Sequence, residues 1–172
     1  HVGLLQVGRF YLDPNFGYET KGTVEFGPAK NYIHGWAYTC PNNGRALSIT
    51  AYVKEYWGTG KIKFALYKES DQTLVGYTEE GEITDNFDGW MTLNIISGGA
   101  LVAGTNYILV FWSNQDVLAY CQDTTGPDKR YQSYTYDSFP QTANFLTGTD
   151  RKGGSIYCTY GDDYTMRPPS AF

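Results

Sequence analysis

The sequence predicts an all-β protein, a single antiparallel β-sandwich or jelly roll with short N-terminal and C-terminal arms. Three observations lead to this prediction. Apolar and polar residues alternate along most of the chain, as in strands with one buried face, and no window keeps the helical period of about 3.6 residues. Turn residues interrupt the alternating segments roughly every ten to fifteen residues, as in sandwiches. Aromatic residues, which favour strands, make up 17% of the 172 residues.

Eight segments carry the strand pattern. In chain order they are residues 33–39, 47–53, 62–67, 74–78, 90–95, 107–112, 117–121 and 155–160. A Pro-Asn-Asn-Gly turn at 41–44 follows the first segment. In the second segment Leu47, Ile49, Ala51 and Val53 share one face, which predicts that this face enters the core. The segment at 107–112 is apolar on both faces, so we expect it at the centre of a sheet.

Two connections between the predicted strands are unusual. Residues 79–88 form an acidic loop. Residues 122–154 are polar and rich in tyrosine, and they are too many for a plain connection in a compact domain. We therefore expect this long stretch to be a folded-back loop with local structure of its own.

The length of 172 residues is that of one domain. Within it we place the sandwich core at residues 20–160, an N-terminal arm or edge strand at 1–19, and a C-terminal tail at 161–172. Pro168 and Pro169 in the tail lack the backbone N–H that a ladder strand donates. We interpret the tail as a linker or docking segment.

Composition excludes several partners. The net charge is −5 and no block of lysine and arginine occurs, so we expect no nucleic-acid partner. No apolar run approaches the roughly 18 residues of a membrane span. The chain begins at His1 rather than methionine, and we interpret it as a secreted, extracellular protein whose leader has been removed. In that setting Cys40, Cys121 and Cys158 predict one disulfide and one buried thiol, with the pairing left open.

Several runs of residues occur in a recognisable order. They are 48–53 (Ser-Ile-Thr-Ala-Tyr-Val), 65–67 (Ala-Leu-Tyr), 74–80 (Leu-Val-Gly-Tyr-Thr-Glu-Glu), 89–90 (Gly-Trp), 101–109 and 155–160. In this order the chain resembles the β-sandwich accessory domains of bacterial, archaeal and phage surface proteins, which are similar to jelly-roll carbohydrate-binding modules. The resemblance covers roughly residues 20–160 and implies the fold. It brings with it no catalytic residue and no ligand site for particular positions.

Two kinds of metal site are candidates. His1 and His34 are the minimum set for a copper site in which the terminal amine and two imidazoles hold the ion, and a copper-dependent oxidase is therefore one alternative. The other interpretation of His34 is a packed side chain within a strand. Jelly-roll modules also fix their loops with calcium through carboxylate and carbonyl oxygens. The candidate ligands of a structural calcium are Asp123, Asp128, Asp137 and Asp162.

Other catalytic arrangements are not indicated. The acidic residues at 79–88 crowd one loop, whereas the two carboxylates of a glycosidase face each other across a cleft. The sequence has no Gly-x-Ser-x-Gly elbow and no glycine-rich phosphate loop. We therefore expect a protein that is not an enzyme and requires no cofactor.

Aromatic residues in loops are the candidate contact residues. Exposed rings stack on the apolar face of a sugar, and they also favour protein interfaces. We assign to glycan or subunit contact Tyr56, Trp57, Tyr131, Tyr134, Tyr136 and Phe139. The alternative is that these rings pack the long loop against the sandwich. In the core, within predicted strands, we expect Trp36, Trp90 and Trp112.

The function that we expect is that of a self-assembling structural subunit of a surface filament or shell, whose partners are copies of itself. Low charge and abundant tyrosine suit permanent contacts. Residues 2–11, at about 3.3 Å per residue, are long enough to pair with a neighbour's sheet edge, unless they form an edge strand of their own sandwich. The side chains of this assembly arm are Val2, Leu4, Leu5, Val7 and Phe10. The alternative function is a carbohydrate-binding module that recognises a polysaccharide through exposed aromatic residues.

Overall fold

The computed structural model describes residues 13–162, and their regular structure consists of fifteen β-strands. The strands are β1 (Asn15–Gly17), β2 (Val24–Phe26), β3 (Tyr32–Thr39), β4 (Gly44–Glu55), β5 (Gly60–Lys68), β6 (Leu74–Thr78), β7 (Gly81–Ile83), β8 (Asp88–Gly98), β9 (Ala100–Leu101), β10 (Asn106–Ser113), β11 (Val117–Asp123), β12 (Lys129–Ser133), β13 (Leu146–Gly148), β14 (Lys152–Gly154) and β15 (Ile156–Gly161). Every ladder between these strands is antiparallel, which confirms the all-β prediction. Among the described residues there is no helix long and apolar enough to cross a membrane.

The strands form two layers that share β8. The first layer runs β1, β15, β4 and β8, and β11 continues it beside the end of β4 together with β2 and β14. The second layer runs β6, β5, β10, β3, β12 and β13. Residues 88–94 of β8 pair with β4, whereas residues 95–98 pair with β6. Hydrogen bonding therefore joins both layers into one sheet that is folded on itself.

The main core lies between the two layers. The first layer contributes alternate residues of β4, which are Ile49, Ala51 and Val53. The second layer contributes Phe64 and Leu66 of β5 and Leu109 and Phe111 of β10. Leu47, which we expected on the same face as Ile49, is exposed instead. The register with β15 shifts between Ser48 and Ala46, so Leu47 is the extra residue of a β-bulge and the alternation breaks there.

A second core covers the outer side of the second layer. Strand β10 pairs with β3 and β5, and its outward residues Ile108, Val110 and Trp112 are buried, so its predicted central position is confirmed. The cover is residues 134–145, which we call the strap. Among the hydrogen bonds that hold it are those from Trp112 Nε1 to the carbonyl of Tyr134 at 2.9 Å and from Tyr67 Oη to the carbonyl of Pro140 at 2.7 Å.

All the predicted segments are strands in the structure, within a few residues at their ends. The prediction omitted the shorter strands, which have too few residues to show alternation. One of them, β7, lies within the acidic loop, and β12, β13 and β14 give the long 122–154 stretch its local structure. At the N-terminal end, β1 pairs with β15 and places Phe16 in the core, so the sandwich begins before residue 20.

The disulfide expected from the cysteine count is not formed. Cys40, Cys121 and Cys158 are three free thiols, all buried in the main core. Burial raises the pKa of each thiol, so all three stay protonated at neutral pH. They therefore serve as small apolar side chains in the packing between the layers.

Candidate binding face

Four aromatic rings lie in contact on the outer side of the first layer. We call them the aromatic face, and they are Tyr52 of β4, Trp90 of β8, Tyr120 of β11 and Tyr157 of β15. The ring centroids are 4.9 Å apart for Tyr120 and Tyr52, 5.3 Å for Tyr52 and Trp90, and 5.6 Å for Trp90 and Tyr157. The rings thus form one connected cluster on four strands.

Strand alternation and register bring these rings together. Tyr52 lies between the buried residues Ala51 and Val53, so its side chain points away from the core. Trp90 is directly opposite Tyr52 in the β4–β8 ladder. Tyr157 is opposite Thr50, which is two residues before Tyr52 and on the same side of β4. Directly opposite and diagonal neighbours on one face are close enough for aromatic side chains to touch.

The rings differ in how far they reach solvent. Trp90 is 37% exposed, Tyr52 and Tyr157 are half-buried, and Tyr120 is only 6% exposed. The expectation that Trp90 belongs to the core was therefore wrong, because in β8 it is the neighbouring Met91 that points inward. Trp90 offers the main contact surface, and Tyr120 is the buried member of the cluster.

Charged side chains fix the tyrosines of the face. The hydroxyl of Tyr52 donates to Asp88 Oδ1 at 2.8 Å, and this bond raises the pKa of Tyr52. The hydroxyl of Tyr120 donates to the carboxylate of Glu25, which also accepts a hydrogen bond from Lys54 Nζ at 3.2 Å. These two hydrogen bonds lower the pKa of Glu25, so the carboxylate is ionised at neutral pH.

One further cation lies over the rings. The ammonium of Lys21 is 4.7 Å from the ring centroid of Tyr52 and 4.5 Å from that of Tyr120, within the range of cation–π contacts. With Lys54, Glu25 and Asp88 it makes a set of two positive and two negative charges. The face therefore has no net charge, although the protein as a whole has a net charge of −5.

Hydroxyl and amide groups continue the face along the strands. The hydroxyls of Thr50 and Thr92 are 2.8 Å apart, and Thr159 Oγ1 donates to Asn15 Oδ1 at 2.6 Å. Asn94, opposite Ser48, is exposed. A ligand that lies on the rings therefore meets hydrogen-bonding groups along β4, β8 and β15.

Tyr56 and Trp57 are exposed, as expected. They lie in the loop between β4 and β5, where Trp57 is 68% exposed and its ring centroid is 5.4 Å from that of Tyr56. They are not part of the aromatic face.

The other four predicted contact residues do not form one surface. Tyr134, Tyr136 and Phe139 belong to the strap, and their ring centroids lie 5.6, 5.0 and 4.9 Å from that of Trp112. Phe139 is buried, so its predicted contact role is wrong. Tyr131 is half-buried on β12 beside His34. These rings mainly pack the long loop against the sandwich, which was the alternative interpretation.

The four candidate calcium ligands do not come together in one group. Asp123 pairs with Arg151 at 2.8 Å, and Asp128 pairs with Lys152 at 3.1 Å. Asp137 lies in the strap, where its backbone carbonyl accepts a hydrogen bond from Lys63, and Asp162 follows β15. Within residues 13–162, no three His, Cys, Asp or Glu side chains gather in a group that could hold a metal ion.

His34 is packed among aromatic rings on the inner side of β3. Its ring centroid is 5.1 Å from that of Phe26 and 5.7 Å from that of Phe111, and its Nδ1 has no hydrogen-bond partner in the described structure. Burial, with a smaller effect of Lys129, lowers the pKa of His34 to about 3. His1, the other proposed copper ligand, and Val2, Leu4, Leu5, Val7 and Phe10 of the assembly arm lie outside the described residues.

Sequence reasoning missed the aromatic face. A usable signal was present, because Tyr52 and Trp90 stand at polar positions of their strands, in phase with Thr50 and Thr92. Comparison with known proteins adds no assignment: no family model matches this chain, and no curated protein matches it.

Proposed function

We propose that this protein is a non-catalytic, extracellular carbohydrate-binding domain that holds a polysaccharide chain on its aromatic face. The cluster of rings on the outer side of the first layer carries the proposal. Rings bind the apolar faces of sugar units, and the neighbouring hydroxyl, amide and charged groups bind their hydroxyls. The resemblance to accessory domains of surface proteins agrees with this function.

The tilt of the rings favours a single polysaccharide chain over the flat surface of a crystalline polymer. Neighbouring ring planes make angles of 82° for Tyr52 and Trp90, 78° for Tyr52 and Tyr120, and 59° for Trp90 and Tyr157. Rings at such angles do not stack together on one plane. A single chain can turn from one sugar unit to the next and meet each ring separately.

The balance of charges favours a neutral chain. An acidic polysaccharide would be attracted by Lys21 and Lys54 but repelled by Glu25 and Asp88. Both carboxylates already accept hydrogen bonds from tyrosine, and their negative charges repel further negative charge. We therefore propose a neutral glycan as the ligand.

Replacing Trp90 by alanine is expected to weaken binding of the chain about three- to tenfold, the value of one aromatic contact of roughly 0.5–1.5 kcal/mol. The thermal unfolding midpoint should change little, because Trp90 lies outside both cores. Calorimetric titration with soluble neutral polysaccharides measures the effect.

The matched control is Ile96→Ala. Ile96 is an exposed apolar residue of the same strand, about 20 Å further along at 3.3 Å per residue. This variant should bind like the wild type. Equal weakening in both variants, or none in Trp90→Ala, would contradict a site on the aromatic face.

The second candidate function is self-assembly, and an open sheet edge favours it. Within residues 13–162, β13 pairs on one side only, with β12, and its Leu146 is 60% exposed. Such an edge accepts a strand from another chain. Residues 2–11 of a neighbouring subunit are the proposed donor, which gives a head-to-tail contact.

Deletion of residues 1–10 tests assembly. If these residues are a donor arm, the truncated protein should fold normally and remain monomeric while the full chain assembles. Size-exclusion chromatography with light scattering measures both states. A truncated protein that still assembles like the full chain would refute the donor arm, and one that unfolds would show that the segment belongs to its own sandwich.

A further inference from the structure

A hollow of about 500 Å³ opens at the end of the sandwich beside the Tyr56–Trp57 loop. Its lining residues come from three places. They are Thr59 just before β5 and Lys61 within it, Glu82 of β7 and Thr84 just after it, and Asn114 and Gln115 after β10. The volume lies within the usual range for small-molecule sites, about 300–1,000 Å³. The hollow is separate from the aromatic face, since the two share no residue.

The loop that carries Trp57 is held in place. The Glu55 carboxylate accepts hydrogen bonds from the backbone N–H of Gly58 and, at 3.4 Å, from that of Asn86. Gln115 Nε2 donates to the carbonyl of Trp57 at 3.3 Å, which ties the loop directly to the lining. Gly58 has a φ of 100°, a conformation that favours glycine. Trp57 is thus exposed at 68% on a loop with fixed ends.

The polar groups of the hollow suit a small neutral molecule with several hydroxyls. Asn114 Oδ1 accepts from the backbone N–H of Lys61 at 2.8 Å, and its Nδ2 donates no hydrogen bond within the part of the chain that the structure describes. In the same part, the hydroxyls of Thr59 and Thr84 also form no hydrogen bond. The charges of Lys61 and Glu82 are paired with each other, so they give no preference for an ion.

We propose that this hollow, together with Trp57 on the adjoining loop, is a second carbohydrate site that takes the terminal sugar of a neutral glycan. The inference rests on the proposed function and extends it to chain ends. The sugar ring stacks on Trp57, while its hydroxyls accept from Asn114 Nδ2 and exchange hydrogen bonds with Thr59 and Thr84. A volume of about 500 Å³ is that of a small-molecule site and suits one sugar unit better than a long chain.

The test titrates the full chain with the methyl glycosides of glucose, galactose, mannose and xylose, observed by ligand NMR. At least one glycoside should bind, and Trp57→Ala should weaken it about three- to tenfold. Asn114→Asp should weaken the same glycoside, because the carboxylate keeps the acceptor for Lys61 but loses the amide donor. Trp90→Ala is the control and should bind this glycoside like the wild type.

Two results would overturn the second site. One is that no glycoside binds; the other is that a bound glycoside is unaffected by Trp57→Ala or is weakened by Trp90→Ala instead. The proposed function is judged separately, by the loss of polysaccharide binding in Trp90→Ala. A protein that binds long chains through Trp90 and no methyl glycoside would refute only the site at Trp57.

Discussion

Replacing Gly154 by alanine is expected to lower the free energy of unfolding by about 3 kcal/mol or more, at the upper end of overpacking effects. Gly154 ends β14 opposite Cys121, and a Cβ on it would lie closer than 3.0 Å to the indole carbons Cδ2, Cε3 and Cζ3 of Trp36. The indole is only 1% exposed and donates from Nε1 to the carbonyl of Arg151 at 2.9 Å. It also packs against Phe26 and Phe111, so it has no space to withdraw.

Urea unfolding followed by circular dichroism measures the loss, with Gly89→Ala as the control. Gly89 lies in β8, and a Cβ there would meet no atom within 4 Å. Its replacement should change stability by no more than about 0.5–1 kcal/mol, in the stabilising direction, as for other glycines inside strands. If both variants unfold at the wild-type urea concentration, the packing of Trp36 against β14 is wrong.

Acid is expected to destabilise the protein through His34. The pKa of this imidazole is lowered from 6.5 to about 3 in the folded state, chiefly by burial. The unfolded chain therefore binds a proton as the pH falls below about 6.5, while the folded chain does not until about pH 3. The stability contributed by neutral His34 is complete above pH 6.5 and is lost progressively towards pH 3. At 1.36 kcal/mol per pKa unit, the full loss is on the order of 5 kcal/mol.

The variant His34→Phe isolates this effect, because phenylalanine keeps a ring between Phe26, Tyr32 and Phe111 without a titrating group. Lys129, the charged group that acts on the pKa of His34, and its partner Asp150 at 3.4 Å are present in both proteins. Urea unfolding between pH 7.5 and 4 should show a smaller loss of stability in the variant, with the gap widening as the pH falls. If the stability of the two proteins falls equally as the pH is lowered, His34 is hydrated in the folded protein.

The fold was predictable because each of its longer strands shows, within its own residues, either apolar–polar alternation or a continuous apolar run. The residues from Tyr107 to Trp112 are apolar at every position, and this alone identified β10 as the central strand. Short strands such as β1 and β14 were not predictable from pattern, because three residues show no alternation. Their positions depend on neighbours far away in sequence, as Gly154 depends on Trp36.

The aromatic face depended on strand register, which the sequence does not reveal. Tyr52, Trp90 and Tyr157 come from three separate strands, and only the ladders of β4 with β8 and β15 bring them together. Trp90 was misplaced because a tryptophan within a strand is usually buried. The alternation along β8, which puts Trp90 and the buried Met91 on opposite faces of the sheet, was the better indication of where Trp90 lies. The exposure of Trp57 was predictable, because its loop is flanked by glycines and lies outside any alternating segment.

The most direct test of a carbohydrate site on the aromatic face follows the indole N–H signals of the four tryptophans by NMR. The ligands are neutral oligosaccharides several units long, derived from glucan, xylan and mannan. A bound oligosaccharide is expected to shift the Trp90 signal. The signals of Trp36 and Trp112 should stay in place, because their N–H groups are hydrogen-bonded to carbonyls inside the protein. If none of these oligosaccharides shifts the Trp90 signal, that result would contradict a carbohydrate site on the aromatic face.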